Sequence, residues 1–173
     1  MARSKVHRQH KIKKSSTSKS HERTIARHKK AYFDYTVVAD IEAGIVLVGS
    51  ELKSIRKGAV NLAGSYAYVT DQLEVMALNI HIKEYQAASY TNHEARRSRK
   101  LLLKKKEIRK WLGKLKLAGH TLIPLELYFK KGLVKVKLAL CVGKKHYDKR
   151  TSLKERDAKR KIEAFMKTRY LRK

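Results

Sequence analysis

The sequence predicts a mainly β domain with short helices, folded as a small antiparallel barrel between two basic tails. Three observations carry that expectation. Apolar and β-branched residues fall in short runs bounded by turn residues, the pattern of strands and hairpins. Helical periodicity is confined to a few separate stretches. Charge gathers at the ends: residues 1–30 hold 11 Lys/Arg and one acid, and residues 143–173 hold 13 Lys/Arg and four acids, out of 43 Lys/Arg and 15 Asp/Glu in the 173-residue chain. Nearly all the large apolar residues lie between these ends, and a hydrophobic share of 42% is enough for a real core.

Taken in order, residues 1–24 read as a basic arm with too little to bury to offset the entropy cost of ordering. Residues 25–142 form the core. Tyr32 to Asp40 and Gly44 to Gly49 read as strands. Ser50 is placed to cap a short helix, with Glu51 in its first turn and Gly58 just past its end. Ser65 to Val69 and Leu73 to Leu78 form a hairpin around Thr70-Asp71-Gln72. A longer helix is expected over Ser98 to Ala118, closed by Gly119, with Leu101, Ile108, Leu112 and Leu115 on its buried face. Thr121 to Phe129 and Leu133 to Val142 flank Lys130-Lys131-Gly132 as a second hairpin. In its last strand Val134, Val136, Leu138 and Leu140 alternate with Lys135, Lys137 and Ala139. Pro124 in the partner strand marks a bulge or an edge. About six short strands punctuated by helices suggest an OB-like barrel, a fold that often holds single-stranded or irregular RNA. In the tail, 143–173, Leu153, Ile162, Phe165, Met166 and Tyr170 recur at helical spacing, but the stripe is too narrow to hold a helix alone. The tail is expected to fold on binding and to reach about 35 Å at 1.5 Å per residue.

A net charge of +28 makes a polyanion the expected partner. No apolar run approaches the roughly 20 residues that span a membrane, and no charged n-region leads into an apolar h-region. Cys141 is the single cysteine, so no disulfide framework or Cys-rich zinc site is expected and a reducing compartment fits. Four of the eight histidines (His7, His10, His21 and His28) lie within the basic residues 1–30 without acidic or Cys neighbours at ligand spacing, so no metal is expected. Gly44 and Gly49 lack the Lys-Ser/Thr of a phosphate-binding loop, and no Gly-x-Ser-x-Gly elbow is present. Asp40 and Glu42 share a strand face and read as partners for Lys or Arg rather than as an acid–base pair. Arg96, Arg97, Arg99 and Lys100, placed at a helix start, would oppose the macrodipole, which points to phosphate as the group that keeps them there. The residues thus describe an RNA-binding protein without a catalytic constellation or cofactor. A structural ribosomal protein would have the same composition.

Several motifs go further. Ile25-Ala26-Arg27-His28-Lys29-Lys30-Ala31, Asp34-Tyr35, Glu42-Ala43-Gly44-Ile45-Val46-Leu47 and Gly49-Ser50-Glu51-Leu52-Lys53-Ser54-Ile55-Arg56 come first. They are followed by Asn92-His93, Arg97-Ser98-Arg99-Lys100-Leu101-Leu102-Leu103, Pro124 to Lys130, and Gly143-Lys144-Lys145-His146-Tyr147-Asp148-Lys149-Arg150. Together they resemble the small protein B (SmpB) family, the SsrA-binding proteins of bacterial trans-translation. The resemblance implies an OB-like barrel that binds the tRNA-like part of transfer-messenger RNA (tmRNA) and, with elongation factor Tu in the delivery complex, brings it to stalled ribosomes in the cytoplasm. One copy is expected per tmRNA, with the tail in the empty mRNA channel beside the small-subunit decoding centre. Carried over by motif, Tyr35, Glu42, Arg97, Arg99, Lys100, Leu102 and Lys104 are the tmRNA-binding candidates. Gly143, Lys144, Lys145, Asp148, Lys149, Arg150, Met166 and Lys167 are the ribosome-binding candidates of the tail. Two departures stand out: His28 replaces a usual Asn, and Ala95 replaces a frequent Pro. Residues 1–21 are longer than the family pattern.

Overall fold

A computed structural model of the chain describes residues 23–88, 92–116, 119–145, 147–148, 157–158, 160–162 and 164–166. Its elements are β1 (Arg23–Arg27), α1 (Lys29–Asp34), β2 (Tyr35–Ile45), α2 (Gly49–Arg56), β3 (Val60–Asn61), β4 (Tyr66–Val69) and β5 (Val75–Leu78). They continue with β6 (His81–Ile82), β7 (Arg99–Leu102), α3 (Lys105–Leu115), β8 (His120–Lys130) and β9 (Leu133–Gly143). The main sheet runs β1-β8-β4-β5-β7-β2-β9, and β9 also pairs with β8. Every pairing is antiparallel. The ladder therefore returns on itself through β8, β4, β5, β7, β2 and β9, the closure that removes free edges in a small barrel. β3 and β6 form a separate two-stranded ribbon.

Both expected hairpins are present, and their turns explain why. Lys131 and Gly132, at φ 50° and 79°, form the two-residue loop of paired positive φ that matches strand twist. Pro124 lies at a register shift in β8, where its missing N–H interrupts no regular rung. Inward residues from β4, β5, β7, β8 and β9 fill the core with Ile55 of α2 and Ile108 and Trp111 of α3. The alternation in β9 gives way to burial on both faces at Leu138–Cys141. There α1 lays Ala31 and Tyr32 over Ile123, Leu125, Ala139 and Cys141 as a second, outer cluster.

Four expectations change. Tyr32 to Asp34, expected as the start of a strand, instead end the helix Lys29–Asp34, because docking on that outer cluster outweighs local β propensity. The strand expected over Gly44 to Gly49 is the end of β2, which stops at Ile45. Val48 rather than Ser50 caps α2: the Glu51 carboxylate accepts the Val48 N–H at 2.8 Å, and Ser50 Oγ instead lies 2.9 Å from His93 Nδ1. Finally, the long helix from Ser98 is a strand followed by a shorter helix. Leu101 suits either period, but β5 and β2 leave a gap that only a strand bridges with hydrogen bonds. The basic cluster is therefore not at a helix start, and the macrodipole conflict read from the sequence does not arise.

Candidate RNA interface

β7 sorts the basic cluster by its strand period. Arg99 and Leu101 face inward, Lys100 and Leu102 outward. Inside, Glu51 and Arg99 are both fully buried, at 0% exposure. Glu51 Oε1 accepts from Arg99 Nε at 2.8 Å and from Arg97 Nε at 2.8 Å, and Oε2 accepts from Arg97 Nη2 at 2.6 Å. Arg99 also donates through Nη1 to the carbonyls of Ile80 (2.6 Å) and Arg97 (3.0 Å) and through Nη2 to that of Ala95 (3.2 Å). Burial alone would raise the Glu51 carboxyl, but the bonds from Arg97, the Val48 N–H and Arg99 outweigh it and hold the group below its usual range. This corrects the sequence reading of Arg99: with no exposed surface and each side-chain nitrogen engaged, it locks α2 to β7 and offers nothing to a phosphate. Arg97 is held by the same carboxylate.

The outward face holds the other candidates of this stretch. Lys100 is exposed and forms an ion pair with Glu74. Leu102 is 53% exposed, so it is not part of the core. It pairs across to Gly44 of β2, which pairs onward to Lys135 of β9. A Cβ on Gly44 would stand 3.1 Å from Leu102 Cβ, so glycine is what lets Leu102 lie flat across β2. Leu102, Leu47, Val48, Leu52 and Leu133 line an open apolar groove of about 320 Å³ with Lys135 at its rim. Lys104 is exposed at the N-terminus of α3, its backbone N–H bonded to Glu107 at 3.0 Å.

Glu42 lies farther along β2. Its Oε2 accepts from Tyr128 Oη at 2.7 Å and Lys130 Nζ at 2.6 Å, and Lys135 stands 3.8 Å from Oε1. The bonds from Lys130 and Tyr128 hold its carboxyl below the ordinary range. Neighbouring Asp40 takes Lys137 at 3.3 Å. The two acids thus orient lysines, as expected of a strand-face pair. Tyr128, Lys130, Lys135 and Lys137 escaped the sequence reading of the site, although their alternation along the second hairpin is the signal that finds them. Tyr35 is half-buried against the outer cluster. It lines a separate cleft of about 370 Å³ with His28, Lys30, Asp34, Ser65 and Tyr66. His28 is nearly buried, its Nδ1 has no partner within the structure, and burial pushes its pKa down.

At the base of the tail, Gly143 ends β9 and Lys144 is tied to α1. Its N–H donates to Asp34 O at 2.9 Å and its Nζ to Tyr32 O at 3.2 Å. Lys145 and Asp148 are exposed, as is Tyr147 at 79%. Residues 157–158, 160–162 and 164–166 are helical, with Ile162, Phe165 and Met166 exposed. Lys149, Arg150 and Lys167 lie outside the described residues. Among the described residues, no cluster of His, Cys, Asp and Glu has the makings of a metal site, and no helix is long and apolar enough to cross a membrane.

The family model for SmpB protein matches residues 25–168. The chain belongs to the SmpB family. The SmpB match takes in the barrel and the helical residues of the tail. Among curated relatives, the SsrA-binding protein of Treponema denticola is 48% identical over 145 residues, 84% of this chain and 94% of its own. That of Syntrophobacter fumaroxidans is 51% identical over 147 residues, covering 85% and 91%. That of Acidothermus cellulolyticus is 53% identical over 138 residues, covering 80% and 86%. A solved structure described as "tmRNA-SmpB: a journey to the center of the bacterial ribosome" contains a chain 45% identical to this one. It superimposes with a TM-score of 0.56 over 72% of this chain and 84% of that one.

Proposed function

We propose that this chain binds the tRNA-like part of tmRNA and carries it to stalled ribosomes in the cytoplasm for trans-translation, acting as an RNA-binding factor without a catalytic step or cofactor. Its barrel stands in for a missing anticodon arm, and its tail enters the empty mRNA channel. Elongation factor Tu joins the delivery complex, with one copy of this chain per tmRNA. The observation that carries this reading is the outward row Lys135–Gly44–Leu102 beside Lys100 and Glu42. An apolar side chain held flat among lysines, on a protein of net +28, suits a splayed base flanked by phosphates. Membership of a family whose relatives are SsrA-binding proteins supports the choice of RNA.

Under this reading Lys100 and Lys104 meet phosphate, Leu102 meets a base, and Glu42 accepts from a base edge through the oxygen that Lys135 leaves lightly held. Tyr35 borders the same RNA from the cleft under α1. Gly143, Lys144, Lys145, Asp148, Lys149 and Arg150 engage ribosomal RNA where the tail begins, and Met166 and Lys167 act near its far end. Residues 1–24 serve as a basic arm. The test separates the two halves: deleting 151–173 is expected to spare tmRNA binding and to abolish peptide tagging on stalled ribosomes. Weakened tmRNA binding with tagging intact would refute it. RNA recovered with the purified protein should be enriched in one species with a tRNA-like end and an internal reading frame. Bulk ribosomal RNA without that species would point to a ribosomal protein instead.

A further inference from the structure

Beyond β7 the outward face of the barrel carries a feature that the tmRNA candidates do not include. β4 alternates, with Ala67 buried and Val69 packed on the core while Tyr66 and Tyr68 are each 44% exposed. β5 does the same, turning Val75 and Ala77 inward and leaving Met76 and Leu78 half-buried on the outside. Register joins the two strands to β7: Tyr68 is opposite Met76, Met76 is opposite Lys100, and Tyr66 is opposite Leu78. With neighbouring strands about 4.8 Å apart, Tyr68, Met76 and Lys100 form one row across three strands. That row lies beside the row of Leu102, Gly44 and Lys135.

A sheet surface of two half-exposed rings, set in Met and Leu and bordered by a lysine, is unusual for a solvated face. It has the composition by which sheet platforms bind unpaired nucleotides: rings take base faces and a cation takes the backbone. Lys100 is available for that role, since its partner Glu74 is also exposed and a surface ion pair contributes only about 0–1 kcal/mol. The charge of the chain supplies the general attraction to RNA. The occupant is therefore RNA rather than an apolar protein surface.

We infer that Tyr66 and Tyr68, with Met76 between the strands and Lys100 at the rim, form a stacking platform for unpaired bases that extends the RNA face from β7 across β5 to β4. The inference rests on the proposed binding of tmRNA and names the part of that RNA which this surface takes: loop nucleotides with free base faces, not duplex.

The test is binding of the full chain to a transcript of the tRNA-like domain of tmRNA, measured across a salt series. The variants are Tyr66→Ala/Tyr68→Ala, Tyr66→Phe/Tyr68→Phe and Lys100→Ala. Stacking lost from one ring lowers affinity roughly 5- to 150-fold, so the double alanine variant is expected to bind at least 5-fold more weakly. The double phenylalanine variant should bind like the parent, because the rings remain. Salt separates the roles: the double alanine variant should keep the parent's slope, whereas Lys100→Ala should reduce it by about one. Unchanged affinity in the double alanine variant overturns the platform, and so does an equal loss in the phenylalanine variant, which would assign the effect to the hydroxyls. Failure of the parent protein to bind the transcript would strike the proposed function itself, and the platform with it.

Discussion

Replacing Glu51 by alanine tests the internal lock on which β7 depends. The carboxylate accepts from Arg97, Arg99 and the Val48 N–H, and both it and Arg99 are fully buried. Alanine leaves the Arg99 guanidinium charged, without water and without its counter-ion. Breaking a buried pair from one side costs about 3–5 kcal/mol, to which the lost cap on α2 adds about 1 kcal/mol. A body of this size loses very roughly 3–5 °C of melting temperature per kcal/mol, so the expected drop is on the order of 12–30 °C. Glu51→Gln keeps the shape and some of the hydrogen bonds, and is expected to cost about half as much. Urea unfolding followed by Trp111 fluorescence suits the measurement, because this single tryptophan is only 8% exposed and packs α3 onto the core. The pH dependence follows from the sign of the shift. A carboxyl whose folded pKa lies below its unfolded value stabilises the fold above the unfolded value, near 4.5. That contribution fades as pH falls through the lower, folded value. The parent protein should therefore lose stability more steeply than Glu51→Gln below about pH 4.5. A loss under 1 kcal/mol in Glu51→Ala, or parallel acid profiles for the parent and the glutamine variant, would refute the lock.

Three further outcomes follow from single positions. Gly44→Val should weaken binding of tmRNA more than it weakens the fold, because the new side chain pushes exposed Leu102 off β2; a melting temperature that falls while affinity holds would contradict this. Burial pushes the Cys141 thiol up to about 11, so its reaction with a disulfide reagent at pH 8 should track global unfolding, and rapid labelling of the native protein would refute its position in the outer cluster. Lys131→Gly should stabilise the second hairpin by about 0.5–1 kcal/mol, since a side chain at φ 50° is strained in a turn that glycine accepts freely; urea unfolding measures it, and a loss would mean that another turn is present.

The parts of this fold that were legible in the sequence are those where two local signals agree. In the last hairpin, strict alternation from Val134 to Leu140 and the Lys131-Gly132 turn point to the same register, and the structure has it. The stretch from Ser98 was misread because Leu101, Ile108, Leu112 and Leu115 satisfy a helical period across a boundary that no glycine or proline marks. Only the gap between β5 and β2 decides it. The site divides in the same way. Leu102 and Lys100 are candidates by motif, and the structure places both on the outer face of β7. Arg99 was not, since an arginine among basic neighbours reads as surface, and the carboxylate that buries it stands 48 residues earlier. Likewise, Tyr66 and Tyr68 read simply as strand formers until closure of the barrel showed which face they occupy.

The strand from which the tail emerges has a mechanical consequence. β9 is hydrogen-bonded along most of its length to β2 on one side and to β8 on the other, and Lys144 fastens its end to the carbonyls of Asp34 and Tyr32. A pull on the tail along the strand axis would load both ladders in shear, many bonds at once, instead of peeling them apart one by one. The Lys144 bonds would yield first and leave the barrel intact. A tail drawn into a narrow passage can thus transmit tension to the folded body without unravelling it.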